Sequence, residues 1–256
     1  MMPRASSAAF IVISVRVLGV AAIMWGGLVL PSIWQQGPLG KLAAEILEGQ
    51  VFRRQALLAQ DRRLEAVERS SLCNPVEMHN AVIVRLAMFE GAIRDGNQAG
   101  AESSYSALHD AATNALACVP SDAFAWLALF WLDVGRRGLS AANAEYLRLS
   151  YALAPNEGWI ALWRNRLAFS MFEQLPADLS DDALEEFVRL VDTGRLYSET
   201  ATIFAKAGLS AKNRIVERLA KANATSRALF ARTLYDMGLD VEIPNTTIPG
   251  LRSWEK

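Results

Sequence analysis

The chain has 256 residues, 52% of them hydrophobic, and 26 basic against 27 acidic side chains, so it can build a sizeable core. Two cysteines are too few for a disulfide-stapled mini-scaffold or a four-cysteine zinc site, and the missing basic excess argues against nucleic acid as a partner. With only 16 glycines and 9 prolines, a helical chain is the first expectation.

Residues 10–30 read FIVISVRVLGVAAIMWGGLVL, with Arg16 the only charge, and just meet the roughly 20 apolar residues a membrane span needs. An arginine at the bilayer centre costs about 2.5–3.5 kcal/mol. Arg16 lies in the first third of the run, however, and can snorkel toward the Arg4 end. Trp25 and Trp34 suit the opposite headgroup level. A cleaved signal peptide is the alternative, but the exit Leu30-Pro31-Ser32-Ile33-Trp34 offers no small-residue cleavage pattern. The expectation is an uncleaved anchor. Basic residues at its N-terminal end put residues 1–9 in the cytoplasm, so in a bacterium the chain is a single-pass inner-membrane protein with a periplasmic body.

Residues 31–70 read as a juxtamembrane linker and helix, broken near Gly49. From there the 3.6-residue period recurs and no sustained strand pattern occurs. Helices are predicted over 76–94 behind Pro75, over 101–117, and over 122–134 with Ser121 as cap. Ser140 caps a helix reaching residue 153, and Pro155 opens another over 158–172. Ser180 with Asp181 and Asp182 marks a further start, since acids there complement the helix dipole. Later helices fall over 182–192, 196–206, 211–221 and 225–237. Residues 71–238 thus form the helical domain, and 239–256, with Pro244 and Pro249, an extended tail.

Pro120 and Pro155 lie 35 residues apart in similar surroundings, and Gly138-Leu139-Ser140-Ala141-Ala142-Asn143 is echoed 70 residues later by Gly208-Leu209-Ser210-Ala211-Lys212-Asn213. Helix pairs of about 34 residues are the tetratricopeptide unit. Trp126, Ala152 and Pro155 resemble that motif's tryptophan, late alanine and closing proline, although its first-helix glycine is missing. The expected fold class is therefore all-α: an N-terminal transmembrane helix followed by a tetratricopeptide-like array of antiparallel hairpins. Cys73 and Cys118 each stand two residues before a helix-opening proline. Such corners become neighbours when hairpins stack, within disulfide reach, and an oxidising compartment favours that bond over two buried thiols.

No P-loop, G-x-S-x-G, dinucleotide fingerprint or metal-spaced histidine pair occurs, and His79 and His109 read as surface or capping residues. Neither catalytic residue, metal nor cofactor is expected, and the chain reads as a non-enzyme. Phe124, Trp126, Phe130, Trp131, Trp159 and Trp163 crowd into 40 residues, followed by Arg164 and Arg166. Bulky aromatics mostly fill inter-helix cores. The functional alternative is that Trp159 and Trp163, one helical turn apart, join Arg164 and Arg166 in a surface for a sugar or a peptide.

Arg148-Leu149-Ser150-Tyr151, Pro155, Glu157-Gly158-Trp159 and Trp163-Arg164-Asn165-Arg166-Leu167 resemble a group of single-pass, tetratricopeptide-like proteins of bacterial exopolysaccharide biosynthesis and export loci. The resemblance covers residues 121–169 and brings no catalytic motif. It implies a periplasmic scaffold or accessory factor that meets protein partners of an envelope assembly. A carbohydrate-binding module using the Trp/Arg segment is the alternative, with polysaccharide as partner, followed by a carboxylate-dependent glycan-processing enzyme.

Overall fold

The computed structural model describes residues 5–35, 37–70 and 72–247, and among these the chain is all-α: thirteen helices, one 3-10 turn and no strand. Helix α1 (Ala5–Gln35) contains the apolar run, and its window Phe10–Gly27 has a mean hydropathy of 1.9 with none of it buried. It is the one helix among the described residues long and apolar enough to cross a membrane; a signal sequence has the same character. Trp25 is exposed, while the Trp34 side chain lies outside the described residues, as do residues 248–256 of the tail.

The segment expected to be a juxtamembrane linker and helix is helical from residue 37 and packs on the helices that follow it. It forms α2 (Gly37–Leu47), α3 (Arg54–Leu58) and α4 (Asp61–Glu68), with the break at Gly49, whose φ of +89° suits glycine. Leu39, Ala43, Leu57, Leu64 and Val67 are buried there, and all three helices pack on α5 (Pro75–Arg94).

The remaining helices are α6 (Gln98–Cys118), α7 (Ala123–Arg137), α8 (Ala141–Leu153), α9 (Gly158–Ser170), α10 (Ala177–Asp192), α11 (Tyr197–Lys206), α12 (Leu209–Leu219) and α13 (Ala224–Asp236). Their ends follow local chemistry. Asn74 accepts from the Glu77 amide with Pro75 in the first turn, and Asn97 caps α6 through the Gly100 amide. Ser140 and Asn143 form a reciprocal capping box on α8, behind Gly138 at φ +73°. Two predicted starts shift. The cap of α7 is Asp122, whose Oδ1 accepts from the Phe124 and Ala125 amides, and not Ser121. Helix α10 begins just after Pro176, so Ser180 is buried inside it and its hydroxyl bonds back to the Ala177 carbonyl.

Consecutive helices pack as α5/α6, α7/α8 and α9/α10. A second set of contacts runs α5–α7–α9–α11–α13, and a third runs α8–α10–α12, so alternate helices form two layers. Between them lies one core that includes the fully buried Phe124 and Phe130, with Phe187, Phe230 and Phe204 carrying it onward by edge-to-face contacts at 5.8 and 6.4 Å. The α5/α6 hairpin brings Cys73, just before α5, beside Cys118, the last residue of α6. The two are joined as a disulfide with Cα atoms 5.5 Å apart.

Three buried arginines join elements that apolar packing alone would leave polar. Arg85 on α5 holds Glu68 through Nε and Nη2 and Asp61 through Nη1 at 2.7–3.0 Å, fastening α4. Arg164 on α9 donates to the Ser150 and Ala154 carbonyls (2.6 and 2.7 Å) at the end of α8, and pairs with Glu186 of α10. Asn165 Nδ2 also reaches Glu186, at 2.8 Å. Arg227 on α13 repeats the device on α12, donating to the Ala220 and Ala222 carbonyls. It also holds the Asn245 carbonyl and Thr246 hydroxyl of the tail, and Ile243 is buried, so residues 239–247 are docked rather than free.

Candidate binding groove

Trp159 and Trp163 share one face of α9, as their four-residue spacing requires, and that face is divided between two tasks. Inward, Phe124 lies 5.1 Å from Trp159 and 6.2 Å from Trp163, ring centre to ring centre. Outward, both half-buried indoles line a groove of about 740 Å³. Its other walls are the inner faces of α5 and α11 and the segment from Ile46 to Phe52. The groove is chemically mixed: Leu162 and Ile203 lie beside Gln50, Arg94, Ser198 and Lys206.

A smaller cleft of about 200 Å³ opens off it between α5, α7 and α9, walled by Leu86, Leu127, Trp131, Trp163 and Leu167. Glu90, Arg166 and Ser170 line both spaces and therefore stand at the junction. Arg166 lies over the Trp163 ring, 5.2 Å from its centre, within cation–π range. Burial pushes the Glu90 carboxyl above the usual carboxylate range, against the pull of the Arg166 and Arg94 charges.

Of the four residues expected at a ligand or partner surface, the structure brings Trp159, Trp163 and Arg166 together and removes the fourth. Arg164 is fully buried on the other side of α9, where its guanidinium ties α8 to α10. Two residues on, Arg166 is turned by about 200° and is exposed. Glu90 carried no sequence signal, being one acid in an ordinary helical stretch. Only the packing of α5 against α7 and α9 takes it to the cleft.

The histidines also separate. His109 is exposed and stacks on Tyr105. His79 is half-buried, its Nδ1 2.8 Å from Asp122 Oδ2 and its ring edge-on to Trp159 at 5.8 Å. Burial raises the Asp122 carboxyl, but His79 and the Phe124 and Ala125 amides outweigh it and hold the group below its usual value. That pair fastens the second turn of α5 to the start of α7. Among the described residues no three His, Cys, Asp or Glu side chains converge as metal ligands. The groove thus presents aromatic faces, an apolar recess, and the polar side chains of Glu90, Arg166 and Ser170 at the junction. No protein-family model, curated protein or solved structure matches the chain.

Proposed function

We propose that the chain is a membrane-anchored scaffold of tetratricopeptide type, held by α1 with its N-terminus in the cytoplasm and its helical domain in the periplasm, and that the groove between α5, α9 and α11 receives a protein partner of an envelope assembly. The observation that carries this reading is the groove itself: a cleft of about 740 Å³ on one layer of the stacked helices, the kind of surface such arrays use for partners. The Cys73–Cys118 disulfide fits an oxidising compartment. The body beyond residue 30 has 24 basic and 27 acidic residues, which fits a protein partner better than nucleic acid. The resemblance at residues 121–169 extends the proposal to a role in exopolysaccharide biosynthesis or export.

A photo-crosslinking residue placed in whole cells at Thr202 in the groove, and separately at Asn114, an exposed position on α6, tests the reading. Discrete crosslinks from Thr202 and none from Asn114 are expected, with the body digested by protease only after the outer barrier is opened. Crosslinks from Asn114 alone, or a body protected from protease in spheroplasts, refute it. A second reading, a glycan seated on Trp159 and Trp163, is favoured by both indoles lining the groove. It requires oligosaccharide binding that Trp163→Ala removes without unfolding the chain.

A further inference from the structure

Building on that scaffold reading, we infer the occupant of the groove: an extended segment of a protein partner that inserts one leucine- or phenylalanine-sized side chain into the recess behind Trp163. The recess, at about 200 Å³, has a wall that is apolar apart from its mouth. An apolar cavity of about 150 Å³ already accommodates a benzene ring, so one large side chain fits. A sugar ring does not suit it, because hydroxyls on every edge of the ring would lose water without gaining partners.

The mouth then selects a peptide. Glu90 presents an acceptor and Arg166 a donor at the same opening, which matches the N–H and C=O of the residue carrying the anchor. Beyond the mouth the groove continues with Gln50, Ser198 and Thr202, side chains able to bond main-chain groups. An extended backbone needs such partners, whereas a helix satisfies its own and would want a continuous apolar floor.

The full chain in lipid nanodiscs is titrated with fluorescein-labelled nonapeptides of glycine and serine carrying a single central leucine, phenylalanine or alanine, and in parallel with neutral and acidic oligosaccharides. Leucine and phenylalanine peptides are expected to bind at least ten-fold tighter than the alanine peptide. Leu167→Trp, which fills the recess, should abolish that preference while the thermal melt is retained. Ser170→Trp, at an exposed position on the mouth, provides the same block if Leu167→Trp fails to fold. Equal or undetectable binding of all three peptides overturns the inference, as does a preference that survives both blocking variants. Oligosaccharide binding that either variant removes also overturns it, in favour of a glycan. If the peptides fail to discriminate while Thr202 still crosslinks a partner, the scaffold reading stands and only the anchoring rule falls.

Discussion

Replacing Arg164 by methionine should be among the most damaging single changes in the domain, and its size can be worked from its contacts. The Arg164 and Glu186 side chains are 0% and 1% exposed. The substitution leaves Glu186 with Asn165 Nδ2 as its remaining side-chain donor and strips the Ser150 and Ala154 carbonyls of their guanidinium. Stranding one member of a buried pair costs about 3–5 kcal/mol. For a domain of this size that is a fall in melting temperature of about 10 °C. Burial already pushes the Glu186 carboxyl upward against Arg164, so the pair does not owe its existence to a large net gain. Glu186→Leu alone should likewise be costly, because it leaves the cation unpaired. The double variant, carrying neither charge, should recover about 1–3 kcal/mol relative to the sum of the two. The measurement is thermal and urea unfolding of the full chain in detergent, followed by helical circular dichroism. A loss below about 1 kcal/mol for Arg164→Met, or strict additivity in the double variant, would refute the reasoning.

Three further outcomes follow from the same structure. The disulfide closes a 45-residue separation, for which chain entropy gives about 4 kcal/mol, so Cys73→Ser should lower the melting temperature to that of the reduced wild type and make it insensitive to reductant. Asp122→Ala removes the α7 cap and the His79 contact and should cost about 0.5–2 kcal/mol at pH 6. Because the folded state holds the Asp122 carboxyl below its usual 3.8, its contribution is present above that value and disappears as pH falls through the folded value. The gap between variant and wild type in urea melts should therefore narrow as pH is lowered below 3.8. Arg227→Ala should expose residues 239–247 to limited proteolysis well before the helical domain is cut, since Asn245 and Thr246 lose their anchor.

Much of the helical outline was readable from residue order. The 3.6-residue period, Pro75, Ser140 and the breaking glycines Gly49 and Gly138 place most of the boundaries close to where they fall, because capping and helix breaking are settled within a few residues. The exceptions also have local causes. Asp122 and Ser121 are adjacent candidate caps, and only the turn of the backbone decides which oxygen faces the amides. Ser180-Asp181-Asp182 imitates a start, although Pro176 is the real one, with the serine tucked against its own helix.

The positions of Cys73 and Cys118 before two prolines put both at corners between helices, where a disulfide competed with two free thiols, and the structure pairs them as the two ends of the single α5/α6 hairpin. The site was only partly legible. Four-residue spacing fixes Trp159 and Trp163 to one face, but it cannot say whether that face looks into core or groove, and here it does both. Arg164 and Arg166 read alike in sequence, and the 200° between them sends one into the interior and the other to the groove mouth.

Composition and order alone therefore determined that this is a near-neutral helical chain with one apolar N-terminal helix, because propensity, period and apolar length are properties of neighbouring residues. Tertiary structure decided what those helices enclose. It drew residues 37–70 into the core and docked the tail on α13. By packing α5, α7 and α9 together it also set Glu90 beside Arg166 over an apolar recess, a meeting of residues 76 positions apart that depends on helix stacking and leaves no local trace.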